Sequence, residues 1–226
     1  MPFDNDEIGS NAASEEAEPK LSSGYERPQE KTLGVVLAAG AGSRFHGKRH
    51  KLAMKLEGKP LLWWAVTHAM AAGFDEVLVV AGDLDVRDLI PTEASIVHNE
   101  DWAAGQSRSL HVAVHYARVF GYDNVVIGLG DQPFVPPSAW RAVGESESPI
   151  AVAEFALQTT PPVRLSSAVW NLLPVEGDEG ARQLLRSRSE LVAQIPCEGS
   201  AVDVDTVGDF DQVRRHNLAK ELAIWT

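Results

Sequence analysis

Residues 33–51 read LGVVLAAGAGSRFHGKRHK, an apolar run that empties into a glycine-rich loop and then into fixed positive charge. Gly40 and Gly42 have no Cβ to keep an anion away from backbone N–H groups. Arg44 and Lys51 supply cationic side chains to an anion held by those amides. Such a loop holds a polyphosphate, and its parts together suit a nucleoside triphosphate. Spacing excludes two other phosphate loops. A P-loop needs Ser or Thr after Gly-Lys, and Arg49 follows Gly47-Lys48; a dinucleotide fingerprint needs a third glycine where Phe45 stands. A second chemical group lies far along the chain. Asp131 follows the apolar run NVVIGLG and precedes Gln132-Pro133, so its carboxylate emerges where the backbone must turn.

The elements that position these groups follow from periodicity. Apolar runs bounded by turn residues predict strands over 33–39, 76–81, 95–98, 124–129, 150–155, 192–195 and 201–204. Helices are expected over 61–72, stopped by Gly73, and over 106–120, where Leu110, Ala113, Val114 and Ala117 form the apolar stripe; another begins near Val207. Alternating strands and helices with right-handed crossovers imply an α/β fold, a doubly wound, mostly parallel Rossmann-like sheet. In such a sheet ligands sit beyond the carboxyl ends of the strands, where both the Gly40 loop and Asp131 fall.

Composition narrows the partners. With 226 residues and 44% hydrophobic content the chain can bury one substantial core, read as a single domain over 32–226 behind an acidic, disordered tail over 1–31. A net charge of −12 without a basic stripe argues against nucleic acid. No apolar run approaches the ~20 residues of a membrane span, and the acidic N-terminus is unlike a secretory signal, so a cytoplasmic protein is expected. Cys197, alone, forms no intramolecular disulfide and has no base placed beside it.

The segments Leu37-Ala38-Ala39-Gly40, Gly42, Arg44 and Lys51-Leu52 resemble the opening motif of the MobA-like nucleotidyltransferases, the relatives of the molybdopterin guanylyl- and cytidylyltransferases. Gly130-Asp131-Gln132-Pro133 is similar to that family's metal-binding motif. Residues 177–182, Gly-Asp-Glu-Gly-Ala-Arg, are similar to a loop of the molybdopterin cytidylyltransferase branch, and Asp203-Val204-Asp205-Thr206 to its closing motif. All appear in family order over about residues 33–218. The chain departs from the pattern at Thr159-Thr160-Pro161-Pro162-Val163-Arg164, where the cytidylyltransferases carry a different proline-containing stretch.

The resemblance implies a nucleotide-diphospho-sugar transferase type of fold and Mg²⁺-dependent nucleotidyl transfer from a triphosphate, with CTP the best donor, to a phosphorylated acceptor, with molybdopterin the best candidate. A phospho-sugar, phospholactate or an isoprenoid precursor is the alternative acceptor. A non-catalytic nucleotide-binding factor serving maturation of a molybdoenzyme partner is the alternative from another class. By resemblance Arg44, Lys51 and Asp131 are catalytic. Asp131 and Asp205 are the metal ligands, Asp205 being favoured over Asp203. Leu37, Ala38, Ala39, Gly40, Gly42, Asn99 and Ser107 bind nucleotide, and Asp178, Gly180 and Arg182 bind acceptor. The plain structural alternatives are a turn aspartate at Asp131, a helix cap at Asp205 and an N-cap at Ser107.

Overall fold

The computed structural model describes residues 30–40, 50–177 and 179–215, with side chains described to residue 211. Its elements, in order, are β1 (Thr32–Ala38), β2 (Lys55–Leu56), β3 (Lys59–Pro60), α1 (Leu61–Ala71), β4 (Glu76–Ala81), β5 (Ser95–His98) and α2 (Gln106–Phe120). There follow β6 (Asn124–Leu129), α3 (Pro137–Gly144), β7 (Ile150–Phe155), β8 (Gln158–Ser166), α4 (Arg182–Ser187), β9 (Val192–Pro196) and α5 (Val207–Arg215). Seven strands form one sheet in the order β5-β4-β1-β6-β8-β7-β9, and β2 pairs with β3 in a separate hairpin. β1 pairs in parallel with β4 and β6, β4 with β5, and β7 with β9; β8 runs antiparallel to both neighbours. The fold is thus the doubly wound, mostly parallel α/β sheet that the apolar runs imply.

Alternate side chains of the central strands feed two cores. Val36, Val79 and Val126 pack with Leu62 and Ala65 of α1 and with Trp140 of α3. Val35, Leu78, Val80, Val125 and Ile127 pack on the other face against Leu110, Ala113 and Ala117 of α2 and Leu184 of α4. Strands covered on both faces read as continuous apolar runs, which is why β1, β4 and β6 are visible in the sequence. No helix among the described residues is long and apolar enough to cross a membrane.

Two expectations change. Strand β8 was not expected, because Pro161 and Pro162 interrupt it and neither can donate to a ladder. The register against β7 jumps from Val152↔Val163 to Ala153↔Thr160, so both prolines fall within this irregularity and break no regular pairing. Residues 201–204 form no strand; Ala201 accepts from the Gln132 amide at 3.5 Å, and Val204 bonds to Asp131, so the segment is drawn across the strand ends instead of along an edge. Glu30 and Lys31 meet the start of β6. Asn124 Nδ2 donates to Glu30 at 2.9 Å and the Lys31 N–H donates to Asp123 at 2.9 Å, tying both residues to the start of β6. Residues 1–29 lie outside the described residues.

Candidate active site

Two chain crossings beyond the strand ends assemble the site. The Gly130 N–H donates to the Leu37 carbonyl at 3.0 Å, bringing the turn after β6 against the end of β1. Gly130 allows this close approach: a Cβ there would stand 2.8 Å from Leu62 Cδ1 and 3.3 Å from the Leu37 oxygen, so its neighbours would have to shift. Asp131 follows, and its carbonyl accepts from Val204 N–H at 3.0 Å. Val204 is fully buried in a cluster with Leu56, Leu61, Trp64, Phe134 and Phe210, so this crossing is fixed by packing as well as by the bond. Thr206 and Asp209 cap the start of α5 reciprocally: Thr206 Oγ1 accepts from Asp209 N–H at 3.1 Å, and the Asp209 carboxylate accepts from Thr206 N–H at 2.8 Å. The expected alternative of an Asp205 cap is therefore replaced by a Thr206 cap, and the Asp205 carboxylate faces the crossing.

Lys51 sits on a short 3₁₀ turn, Lys51–Ala53, with its ammonium between the two carboxylates. It donates to Asp131 Oδ2 in a short hydrogen bond and to Asp205 Oδ1 at 3.0 Å. Burial alone would lower the Lys51 pKa; the charges and hydrogen bonds of Asp131 and Asp205 outweigh it and hold the ammonium above the ordinary lysine value. Asp203 lines the same crevice, and burial, reinforced by the Asp131 charge, raises its pKa. His50 ties the base of the glycine-rich segment. Its Nε2 is 3.2 Å from the Gly40 carbonyl, and its Nδ1 accepts from Leu52 N–H at 3.3 Å, a pattern that fits the neutral Nε2–H tautomer. Burial holds its pKa below the usual histidine value, with the Lys51 charge acting in the same direction against the raising effect of Gly40.

The donor set suits a divalent cation. Asp131 Oδ1 is buried without a hydrogen-bond partner, and Asp131 and Asp205 already converge on one positive charge. No group of three or more His, Cys, Asp or Glu arranged to hold a metal occurs among the described residues. Two carboxylates suffice for a cation that takes its other ligands from water and phosphate oxygens.

Around this centre lies a crevice of about 520 Å³. Leu37, Ala38, Ala39, Gly40, Lys51, Asp131, Arg182 and Asp205, all expected from the sequence, line it. Gly180 lines an adjoining chamber of about 250 Å³, which also reaches Leu37 and Arg182. Asn99 and Ser107 are not brought to the crevice. The Asn99 amide donates to Ser109 Oγ at 3.0 Å and its oxygen accepts from Asp101 N–H at 3.0 Å, while the Ser107 side chain is buried. Gln106 and Ser109 line the crevice in their place, one and four residues after Gly105, which lines it too. Gly42, Arg44 and Asp178 lie outside the described residues. His50 carries no motif signal beyond its place next to Lys51.

Comparison with known proteins adds an independent line. Residues 34–192 match the MobA-like NTP transferase domain. The chain is similar to the purine catabolism protein PucB of Bacillus subtilis (strain 168), 31% identical over 198 residues covering 81% of this chain and 96% of that protein. It is 31% identical to the nicotine blue oxidoreductase of Paenarthrobacter nicotinovorans over 194 residues, covering 77% of this chain and 92% of the relative. Among solved structures it resembles Rv0371c of Mycobacterium tuberculosis H37Rv, with a TM-score of 0.73 at 29% identity over 82% of this chain and 98% of that one. That protein has also been solved in complex with manganese.

Proposed function

Because the chain belongs to the MobA-like NTP transferase family and is a nucleotidyltransferase, we propose that it carries out Mg²⁺-dependent nucleotidyl transfer from CTP to a phosphorylated acceptor, with molybdopterin the best candidate. The observation that carries this reading is the convergence of Asp131 and Asp205 on one cationic centre in the crevice walled by Ala38, Ala39 and Gly40. An oxygen of the acceptor phosphate attacks the α-phosphorus, the bond from that phosphorus to the oxygen bridging to the β-phosphate breaks, and pyrophosphate departs with the electron pair. Asp131 and Asp205 would hold the metal, which when bound neutralises phosphate charge as it builds up. Lys51, released from its carboxylates, turns its ammonium to the triphosphate, and the Gly40 backbone approaches the phosphates without a side chain in between. Arg182, on the wall shared by crevice and chamber, takes the acceptor's anionic group. Arg44, Gly42 and Asp178 keep their roles in this reading by resemblance alone.

Pyrophosphate release measured across the four nucleoside triphosphates, with and without molybdopterin, tests the reading. Molybdopterin-dependent release with CTP supports it. Nucleotide binding without release under every acceptor would make the chain a nucleotide-binding protein and remove the catalytic claim.

A further inference from the structure

We propose that the chamber beside Arg182 receives the body of the acceptor on an apolar surface, so that the acceptor is an anion with an apolar or flat body and not a polyhydroxylated sugar phosphate. The inference rests on the nucleotidyl-transfer reading and narrows its acceptor. The chamber and the crevice share Leu37, Gln106, Leu129 and Arg182, so a molecule in the chamber lies against whatever the crevice holds. Gln106 forms part of that partition, and it stands close to Gly180: a Cβ on Gly180, whose φ is +54°, would come 3.0 Å from Gln106 Oε1.

The chamber's depth and its rim differ in chemistry. Ile127, Val152 and Val163, each no more than 5% exposed, form its deep wall. The polar residues Thr159, Glu179, Arg182 and Arg186 are exposed and stand at its opening. Two of these polar groups, and Thr160 beside them, are already engaged. Thr160 Oγ1 accepts from Gln132 Nε2 at 3.1 Å, and Glu179 and Arg186 pair with each other. The Arg182 guanidinium makes no ion pair among the described residues, which leaves it to an entering anion. A ring of hydroxyls pushed against Val152 and Val163 would surrender water without gaining partners, whereas apolar or aromatic surface gains by the same burial. At about 250 Å³ the chamber admits a compact body of that kind.

The test is a ligand-observed NMR titration of the full chain with Mg²⁺ and the α,β-methylene analogue of CTP or of GTP, whichever binds. Two probes are compared, phenyl phosphate and glucose 1-phosphate. Phenyl phosphate is expected to bind at least ~tenfold more tightly, the scale of discrimination that one apolar contact surface provides. Arg182→Ala should weaken both probes, and Val163→Thr, nearly isosteric but adding a hydroxyl to the wall, should narrow their ratio. Equal affinities, a preference for glucose 1-phosphate, or nucleotide binding with neither probe bound would overturn the chamber assignment while leaving the transferase reading intact. Failure of both nucleotide analogues to bind would overturn the transferase reading and this inference with it.

Discussion

The N–H of Val204 donates to the carbonyl of Asp131 at 3.0 Å, and this crossing makes two distant aspartates neighbours of one lysine. The bond lies on the buried side, where Val204 packs with Trp64 and Phe210; the carboxylates lie on the crevice side. Hence the hairpin, α1 and the start of α5 act together as a mount for Asp205. The mount is apolar, so the geometry of the charged centre is set by packing and only then by charge.

Lys51 stands where two carboxylates would otherwise repel each other. Lys51→Met removes the cation, and breaking a buried ion pair costs ~3–5 kcal/mol, discounted here to about 1–3 kcal/mol because Asp205 is partly exposed. The variant should melt lower than wild type. Mn²⁺ or Mg²⁺ without nucleotide should then raise its melting temperature more than it raises that of wild type, since the ammonium no longer competes for the carboxylates. An equal metal response in the two proteins would remove Lys51 and the aspartates from a common site.

The two aspartates should differ in their tolerance of an amide. Asp131 Oδ1 is buried and unpartnered, so Asp131→Asn places an amide where a cation is to be held and should abolish turnover while leaving the melting temperature within a few degrees. Asp205→Asn should cost less, because its remaining carbonyl oxygen can still coordinate, and Asp205→Ala should raise the Mg²⁺ requirement. A metal titration of pyrophosphate release separates these outcomes; an unchanged requirement in Asp205→Ala would transfer the role to Asp203.

Gly40 offers a clean separation of fold from ligand. A Cβ placed there meets no atom within 4 Å among the described residues. Gly40→Ala should therefore leave thermal stability unchanged and still weaken triphosphate binding by about tenfold, or ~1.4 kcal/mol. Calorimetric titration with nucleotide checks this, and wild-type affinity would show that the phosphates approach elsewhere.

Acid should act through His68, which is fully buried on α1. Burial lowers its pKa from 6.5 to about 4 against the opposing effect of the Val135 backbone. Between those values the unfolded chain binds the proton and the folded chain does not, so stability falls as pH drops from about 6.5 to about 4 and is unaffected by this group above that window. The full effect is about 3 kcal/mol. Urea unfolding of wild type and His68→Leu at pH 7 and pH 5 should show a steeper loss in wild type; parallel losses would exclude His68 as the cause.

The parts of this molecule that were legible in the sequence are those where one local rule decides. β4, β5, β6, β7 and α2 appear at the expected bounds because apolar runs between turn residues and one helical stripe leave little choice. β8 was hidden because its prolines are tolerated only by an irregularity in another strand's register, which no local pattern encodes. The same distinction holds in the site. Leu37 to Gly40 and Asp131 lie at the ends of β1 and β6 and are readable from that position, and Lys51 from its charge beside the glycine-rich loop, whereas the face that α2 turns to the crevice depends on how it packs. Gln106 and Ser109, three apart on one helical face, line the crevice; Ser107 points inward and Asn99 braces the loop.

Donor choice turns on Ala39, which is buried at the end of β1 and lines the crevice. Its backbone lies against Gly82 at the end of β4, where a Cβ would come 2.8 Å from the Ala39 oxygen and 3.0 Å from Trp102 Cγ. Gly82 thus lets Ala39 and Trp102 close on one another and fixes the wall that a base must meet. The Ala39 methyl group should crowd a purine more than a pyrimidine, so CTP is expected to bind more tightly than GTP. A methyl-sized contact is worth only ~1–3 kcal/mol, so Ala39→Gly should reduce the preference without inverting it. Gly82→Ala provides the contrast, because it displaces both walls and should weaken the two nucleotides alike. Competitive binding of CTP and GTP to the three proteins decides the matter: equal wild-type affinities, or a preference for GTP, would sink the cytidylyl assignment and leave nucleotidyl transfer itself standing.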